Sequence, residues 1–281
     1  SGFRGTLILS GVVQEEVGGL GARHLGATLD YDAVVLGEPS KLRLMLGHRG
    51  CTVVEVVFPG AIAHAAKASL GENALTHAGR YLVALEDLEL PSDPVFGGSS
   101  ATPTRLTSLP SDSSNVVPGE ARLTVDYRSL PDESAAALVA RLRSIAEDER
   151  ISVSVAQDPQ RGNGQASLRT APAYLVDAGL PVVATARAAF TRALARHGRT
   201  LAEGVWWFCT DAPHLAQRGA PVVGFGPGEE ELAHTTNESI EVADLHAARD
   251  AYREFATAYL TPLESVGVGR GGGALGLKGT A

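Results

Sequence analysis

The chain opens on an apolar, β-branched run, Leu7, Ile8, Leu9, Val12 and Val13, which reads as a buried strand ending on two carboxylates, Glu15 and Glu16. A second short strand is expected at 33–36, running into Gly37-Glu38-Pro39-Ser40. From Gly47 the texture changes. Alternation marks a strand over 51–58, and the spacing of Ala74, Leu75, Ala78, Leu82 and Leu85 marks a helix over 72–88. Strands at 104–109 and 121–127 flank a polar loop, and a helix over 134–146 and a strand over 151–155 follow. That order is βαββαβ, the ferredoxin-like split βαβ pattern, with a four-stranded sheet and both helices on one face.

Beyond a polar, Gly-rich link at 158–165, the α/β texture resumes. A helix over 181–196 carries Val182, Val183, Ala186, Ala189, Phe190 and Leu194 on one side. A short strand at 206–208 precedes a helix that Thr210 or Asp211 can cap, running towards Gln217 and ended by Gly219. A buried strand at 221–225 is broken by Gly226-Pro227-Gly228, and an amphipathic helix spans 242–260. The tail from Val266 reads as disordered. The expected fold is therefore α/β, with one domain built from 1–47 and 162–261, a ferredoxin-like insert at 48–161, and a tail at 262–281.

Composition narrows the function. With 281 residues and 44% hydrophobic content the chain can bury a real core, and 24 basic against 32 acidic residues leave a net charge of −8. That balance argues against a nucleic-acid or anionic-membrane surface, and no basic stripe is present. Only Cys51 and Cys209 occur, far apart and without a CxxC spacing, which argues against a disulfide framework or a zinc knuckle and for a reducing cytoplasm. No apolar run approaches a bilayer span, and no signal pattern stands at the start. The chain begins at Ser1 and enters its first expected core strand within a few residues, so an N-terminal part of the natural protein is expected to be absent from it.

Paired carboxylates at a strand end suit metal hydrolysis, since one can hold a cation while its neighbour takes a proton from the water that the cation acidifies. Acidic neighbours also occur at 147–149 and 229–231, but those lie in helical or loop contexts. Glu38 is another acid at a strand end, alone no more than a turn carboxylate before a proline, and His234 lies in the loop before the last helix. Carboxylates and an imidazole are the donors that a catalytic zinc or dizinc site uses. The glycine-rich stretch 18–26 follows the first strand as a dinucleotide loop would, but Gly19-x-Gly21 is followed by His24 where the third glycine belongs. His48, within GHRG, reads as a hinge residue, Asp211 as a helix cap, and Cys209 as packing, because no base is paired with it in sequence.

Read together, VVQEEVGGLGA, VVLGEPS, FPGAIAHAA, NVVPGEARLTVDYR and VGFGPGEEELAHTTNES occur in this order, and the succession resembles the zinc metallopeptidase family of acetylornithine deacetylase, succinyl-diaminopimelate desuccinylase, aminoacylase and the glutamate carboxypeptidases. The resemblance covers all but about the last twenty residues. It implies a metal-binding α/β catalytic domain interrupted by a ferredoxin-like lid that commonly forms a homodimer, two divalent metal ions (zinc or cobalt), and a small N-acyl amino acid or peptide substrate with a free carboxylate. It further implies Glu15 as general base, Glu16 and His234 as ligands of one metal, and Glu38 as a ligand of the other. His64 would reach the partner subunit's site and steady the oxyanion, while Asn115 and Arg128 would bind the substrate's amide oxygen and carboxylate. Gln14 stands where the family often has Asp. The family's N-terminal His-x-Asp motif and its metal-bridging Asp have no match, so three of the five implied protein ligands are present. The expectation is a chain that binds metal poorly and is weakly active or inactive. The alternative is a non-catalytic dimeric binding protein that keeps the fold without a complete metal site.

Overall fold

The computed structural model describes residues 4–158 and 167–261. Two sheets organise them, and the chain passes from one to the other at His48–Cys51. The first sheet contains β1 (Val34–Leu36), β2 (Leu44–His48), β8 (Tyr174–Leu175), β9 (Glu203–Trp206) and β10 (Val222–Gly224). β1 runs parallel to β10 with Val34 opposite Val222, β10 joins β2 through Gly224 and Met45, and β9 runs parallel to β2. Helices α4 (Pro181–Ala195) and α6 (Val242–Leu260) pack on this sheet. Their shared core holds Leu44, Phe190, Phe225, Leu194, Val183 and Phe255. Pro181 opens α4 at a position where its missing N–H costs nothing. Close packing in the sheet depends on Gly224, where a Cβ would fall 2.0 Å from the ring of buried Trp206.

The second sheet is antiparallel. Its strands β3 (Cys51–Pro59), β4 (Ser100–Leu109), β5 (Glu120–Arg128) and β6 (Ser152–Val155) stand in the order β6-β3-β5-β4, and β7 (Thr170–Ala171) adds to β3. With α2 (Ala74–Glu86) and α3 (Ala135–Ser144), the chain order is βαββαβ, as the periodicity predicts. Burial alternates strictly along β3, so Val54, Val56 and Phe58 face the helices, where they meet Leu123, Val125 and Tyr127 of β5, Ala78 and Tyr81 of α2, and Leu138 and Leu142 of α3. Asn73 caps α2 by accepting from Leu75 N at 3.0 Å, and Ser134 caps α3 by accepting from Ala137 N at 3.1 Å.

The first expected strand does not form. Residues 7–13 form no strand, and Leu7, Leu9 and Val13 are 66%, 99% and 64% exposed. A strand needs a neighbour for its N–H and C=O groups, and among the described residues this segment pairs with none: β1, the terminal strand of the first sheet, pairs only with β10. The apolar pattern reports a tendency to be buried without saying against what. The glycine-rich stretch that follows, whose spacing does not complete a dinucleotide loop, forms helix α1 (Leu20–Thr28), packed through Ala22 on Ala212, Leu215 and Val222. β2 was not anticipated, because its Leu-Met-Leu-Gly-His string does not alternate. The helix after Asp211 is a single turn, α5 (Ala212–Leu215). The expected disordered tail, and nearly all of the 158–165 link, lie outside the described residues.

Candidate active site

Glu15 and Glu16 sit in a one-turn 3-10 helix, Glu15–Val17, rather than at the end of a strand. Gln14 enters it with a left-handed backbone (φ 60°), and Gly18 and Gly19 leave it at φ 109° and 64°. Gly19 serves a close approach as well as a turn, because a Cβ there would lie 2.3 Å from Asp211 Oδ1 and 2.8 Å from the His214 ring. Glu38 follows β1 just before Pro39 and is half-buried. The local chain thus sets Glu15, Glu16, Glu38 and Asp211 close enough to act on one another electrostatically.

Burial pushes the Glu15 carboxyl up to about 7, and the negative charges of Glu38, Asp211, Glu16 and Cys209 add to the shift. Burial also raises Glu38, with Asp211 and Glu16 contributing, and raises Asp211. Several carboxylates in a partly dry place without a cation hold a proton more readily than the same groups in water. Asp211 was read as a helix cap, but its side chain makes no cap hydrogen bond. Thr210 Oγ1 accepts from Ala212 N at 3.2 Å instead, leaving Asp211 3% exposed with Oδ2 unpartnered among the described residues. In sequence Asp211 also stands near the motifs that the family resemblance assigns to metal binding, but an Asp before a Pro-containing turn resembles a cap. Only the fold shows where it points.

His234 is brought to Glu16, with Nε2 3.0 Å from Oε1, while its backbone N donates to Glu238 Oε2 at 3.2 Å. Its φ of 63° is uncommon for a residue with a side chain. Both partners are about 70% exposed (72% and 69%), so the pair itself adds at most ~1 kcal/mol. Carboxylates and an imidazole suit a divalent cation chemically, yet among the described residues no three His, Cys, Asp or Glu side chains converge to hold one. As placed, Glu16, Glu38 and His234 do not complete a metal site, and no chemical step below is drawn through a metal.

The remaining candidates lie in the ferredoxin-like unit. His64 and Asn115 are exposed and near each other, since Ala63–His64 pairs with Val116–Val117 and Ala65 N donates to Asn115 O at 2.9 Å. His64 Nδ1 accepts from Ala66 N at 3.1 Å. No hydrogen bond or ion pair found for either reaches the carboxylate cluster. Arg128 is half-buried on β5 and doubly bonded to Asp126, at 2.6 and 3.2 Å, so a substrate carboxylate would have to share it.

His48, read as a hinge, is fully buried where the two sheets meet. Its Nδ1–H donates to Arg49 O at 2.9 Å, which leaves the Nε2 lone pair buried and unpartnered among the described residues. Burial pushes its pKa down from 6.5 to about 4, with the nearby His214 charge adding to the effect. In the unfolded chain the ring takes a proton below its ordinary value, whereas in the folded chain it does not until about pH 4. Stability is therefore intact above pH 6.5 and falls as pH drops through this window, by about 3 kcal/mol at its end. His48→Asn keeps a side-chain N–H for Arg49 O and cannot titrate, so it should flatten that part of the slope in urea unfolding between pH 7 and pH 4. An unchanged slope would contradict this assignment.

Residues 46–153 match the family described as the peptidase dimerisation domain. Over 245 residues the chain is 31% identical to acetylornithine deacetylase of Myxococcus xanthus, a match covering 82% of this chain and 59% of that protein. Among solved structures, a tripeptidase of Staphylococcus aureus superposes with a TM-score of 0.69 at 19% identity, covering 89% of this chain and 63% of the other. A metallo-carboxypeptidase of Sulfolobus solfataricus gives a TM-score of 0.64 at 14% identity, covering 87% and 68%. The two structures establish the likeness of fold. The chain spans 59% of the deacetylase's length.

Proposed function

We propose that this chain, which belongs to the metallopeptidase family of acetylornithine deacetylase, succinyl-diaminopimelate desuccinylase and carboxypeptidase relatives, acts in metal-dependent hydrolysis of the amide bond of an N-acyl amino acid or small peptide with a free carboxylate. The observation that carries the reading is the gathering of Glu15, Glu38 and Asp211 beside the Glu16–His234 pair. Glu16, Glu38 and His234 are the side chains this chain would offer to zinc or cobalt, which when bound acidifies water and polarises a carbonyl. Glu15 is the base, since a carboxyl poised near neutrality can take a proton from water and return it to the leaving amine. Arg128 orients the substrate carboxylate by guanidinium pairing, and Asn115 the amide oxygen. His64, exposed and apart from the cluster within one chain, would act in the partner subunit's site, which makes the homodimer part of the function.

The test is release of free amine from a panel of N-acetyl and N-succinyl amino acids and dipeptides, with zinc or cobalt added. Metal-dependent cleavage of at least one member supports the reading, and no cleavage of any member contradicts it. Turnover is expected to be slow, because three of the implied ligands are present. Dimerisation has its own test. Light scattering should give twice the chain mass at micromolar concentration, and a monomer at all concentrations would contradict a shared site.

One observation favours a second reading, a dimeric binding protein that keeps the fold. It is the failure of any three donors to converge among the described residues. Substrate-analogue binding that is indifferent to added metal would distinguish it.

A further inference from the structure

The two cysteines, remote in sequence, meet in space. Cys51 opens β3 of the second sheet, and Cys209 lies in the loop that carries β9 of the first sheet into α5. The crossing of the chain between sheets brings them together, with Trp206 in register with His48 and Arg49 N donating to Trp206 O at 3.2 Å. The Cys51 thiol donates to Asp126 Oδ2 at 3.8 Å and lies within hydrogen-bonding reach of the Cys209 sulfur. Both side chains are half-buried and both are free thiols. Arg128 is close enough for its positive charge to act on the two sulfurs.

We propose that Cys51 and Cys209 form a redox-active dithiol, which a small-molecule disulfide closes into an intramolecular bond that pins the ferredoxin-like unit to the loop carrying Asp211. The Cys209 thiolate attacks one sulfur of the small disulfide, whose S–S bond breaks and releases one thiolate. Cys51, losing its proton, attacks the Cys209 sulfur, and the mixed bond breaks to release the second thiolate. Two protein thiols are oxidised, one small disulfide is reduced to two thiols, and the two protein protons end on those leaving thiols. Cys209 is the attacking partner because the Cys51 hydrogen bond, followed by the Arg128 charge, lowers its pKa to about 7 despite burial, whereas Cys51 is raised by the same hydrogen bond and by burial. This inference goes beyond the hydrolase reading and stands without it.

The experiment treats the reduced full chain with oxidised glutathione, then counts free thiols after denaturation and measures intact mass. The expected result is no free thiol, a mass lower by two hydrogens, and a linked peptide pair containing Cys51 and Cys209. Two persisting thiols, a lasting glutathione adduct, or disulfide-linked chain pairs would each overturn the proposal. In Cys51→Ser the first step should stop at one glutathione on Cys209. Cys209→Ser should gain its adduct about tenfold more slowly. Equal rates in the two variants would overturn the assigned order of attack.

Discussion

Phe190→Ala is expected to lower folding stability by about 4 kcal/mol. Phe190 is fully buried on α4, stacked on Phe225 with ring centroids 4.2 Å apart and packed at 5.8 Å against Phe255 of α6. The ring therefore joins the residue just after β10 to both helices of the first sheet. Truncation removes the transfer free energy of a phenyl group and opens a hole that neighbours anchored in two helices and a strand fill only in part. Phe190→Leu, which refills most of the volume, should cost about 1 kcal/mol. The measurement is urea unfolding followed by circular dichroism, and a loss under about 1 kcal/mol for the alanine variant would show that this core is not the one holding the sheet.

Glu15→Gln should reduce any metal-dependent amide hydrolysis by a factor of about 10² to 10⁴, the range for removing a positioned general base. The same change should stabilise the metal-free chain at neutral pH. The Glu15 carboxyl has an ordinary value of 4.5 and is pushed to about 7 in the fold by burial first and neighbouring carboxylates second. Its raised folded value means that the stabilising contribution is fully present below pH 4.5 and is lost as pH rises to about 7. Glutamine cannot ionise, so the variant escapes that loss. Because the group is about half exposed, the gain is discounted for solvent screening to about 1 kcal/mol at pH 8. A variant slower in catalysis yet firmer in urea would mark Glu15 as a residue kept for chemistry, whereas undiminished turnover would remove it from the role of base.

Periodicity was most informative where a segment's neighbours lie within the same unit. The βαββαβ order, the alternation of β3 and the apolar face of α4 were all legible, because each hydrophobic set finds its partner among described residues. Leu7 to Val13 shows the limit of that logic, since its apolar run carries no information about which edge would receive it. Glu15, Glu16, Glu38 and His234 were visible as chemistry at element ends, and the structure groups the carboxylates and sets His234 on Glu16. Asp211 and the Cys51–Cys209 contact were not legible in the same way. Their meaning depends on Gly19 admitting a side chain against its backbone and on the crossing between β2 and β3, neither of which local spacing encodes.

The central claim is that Glu16, Glu38 and His234, though an incomplete set as placed, are the side chains this chain offers to a divalent cation, and calorimetric titration of the metal-free full chain with zinc and with cobalt tests it most directly. The predicted result is binding accompanied by proton release near neutral pH, because the Glu15 carboxyl, pushed up to about 7 by burial and neighbouring carboxylates, carries a proton part of the time that a nearby cation would displace. Affinity should be weakened at least about tenfold in Glu38→Gln and in His234→Ala, as expected when a ligand is removed from a small donor set. No binding at millimolar metal, or binding that both substitutions leave unchanged, would contradict the claim.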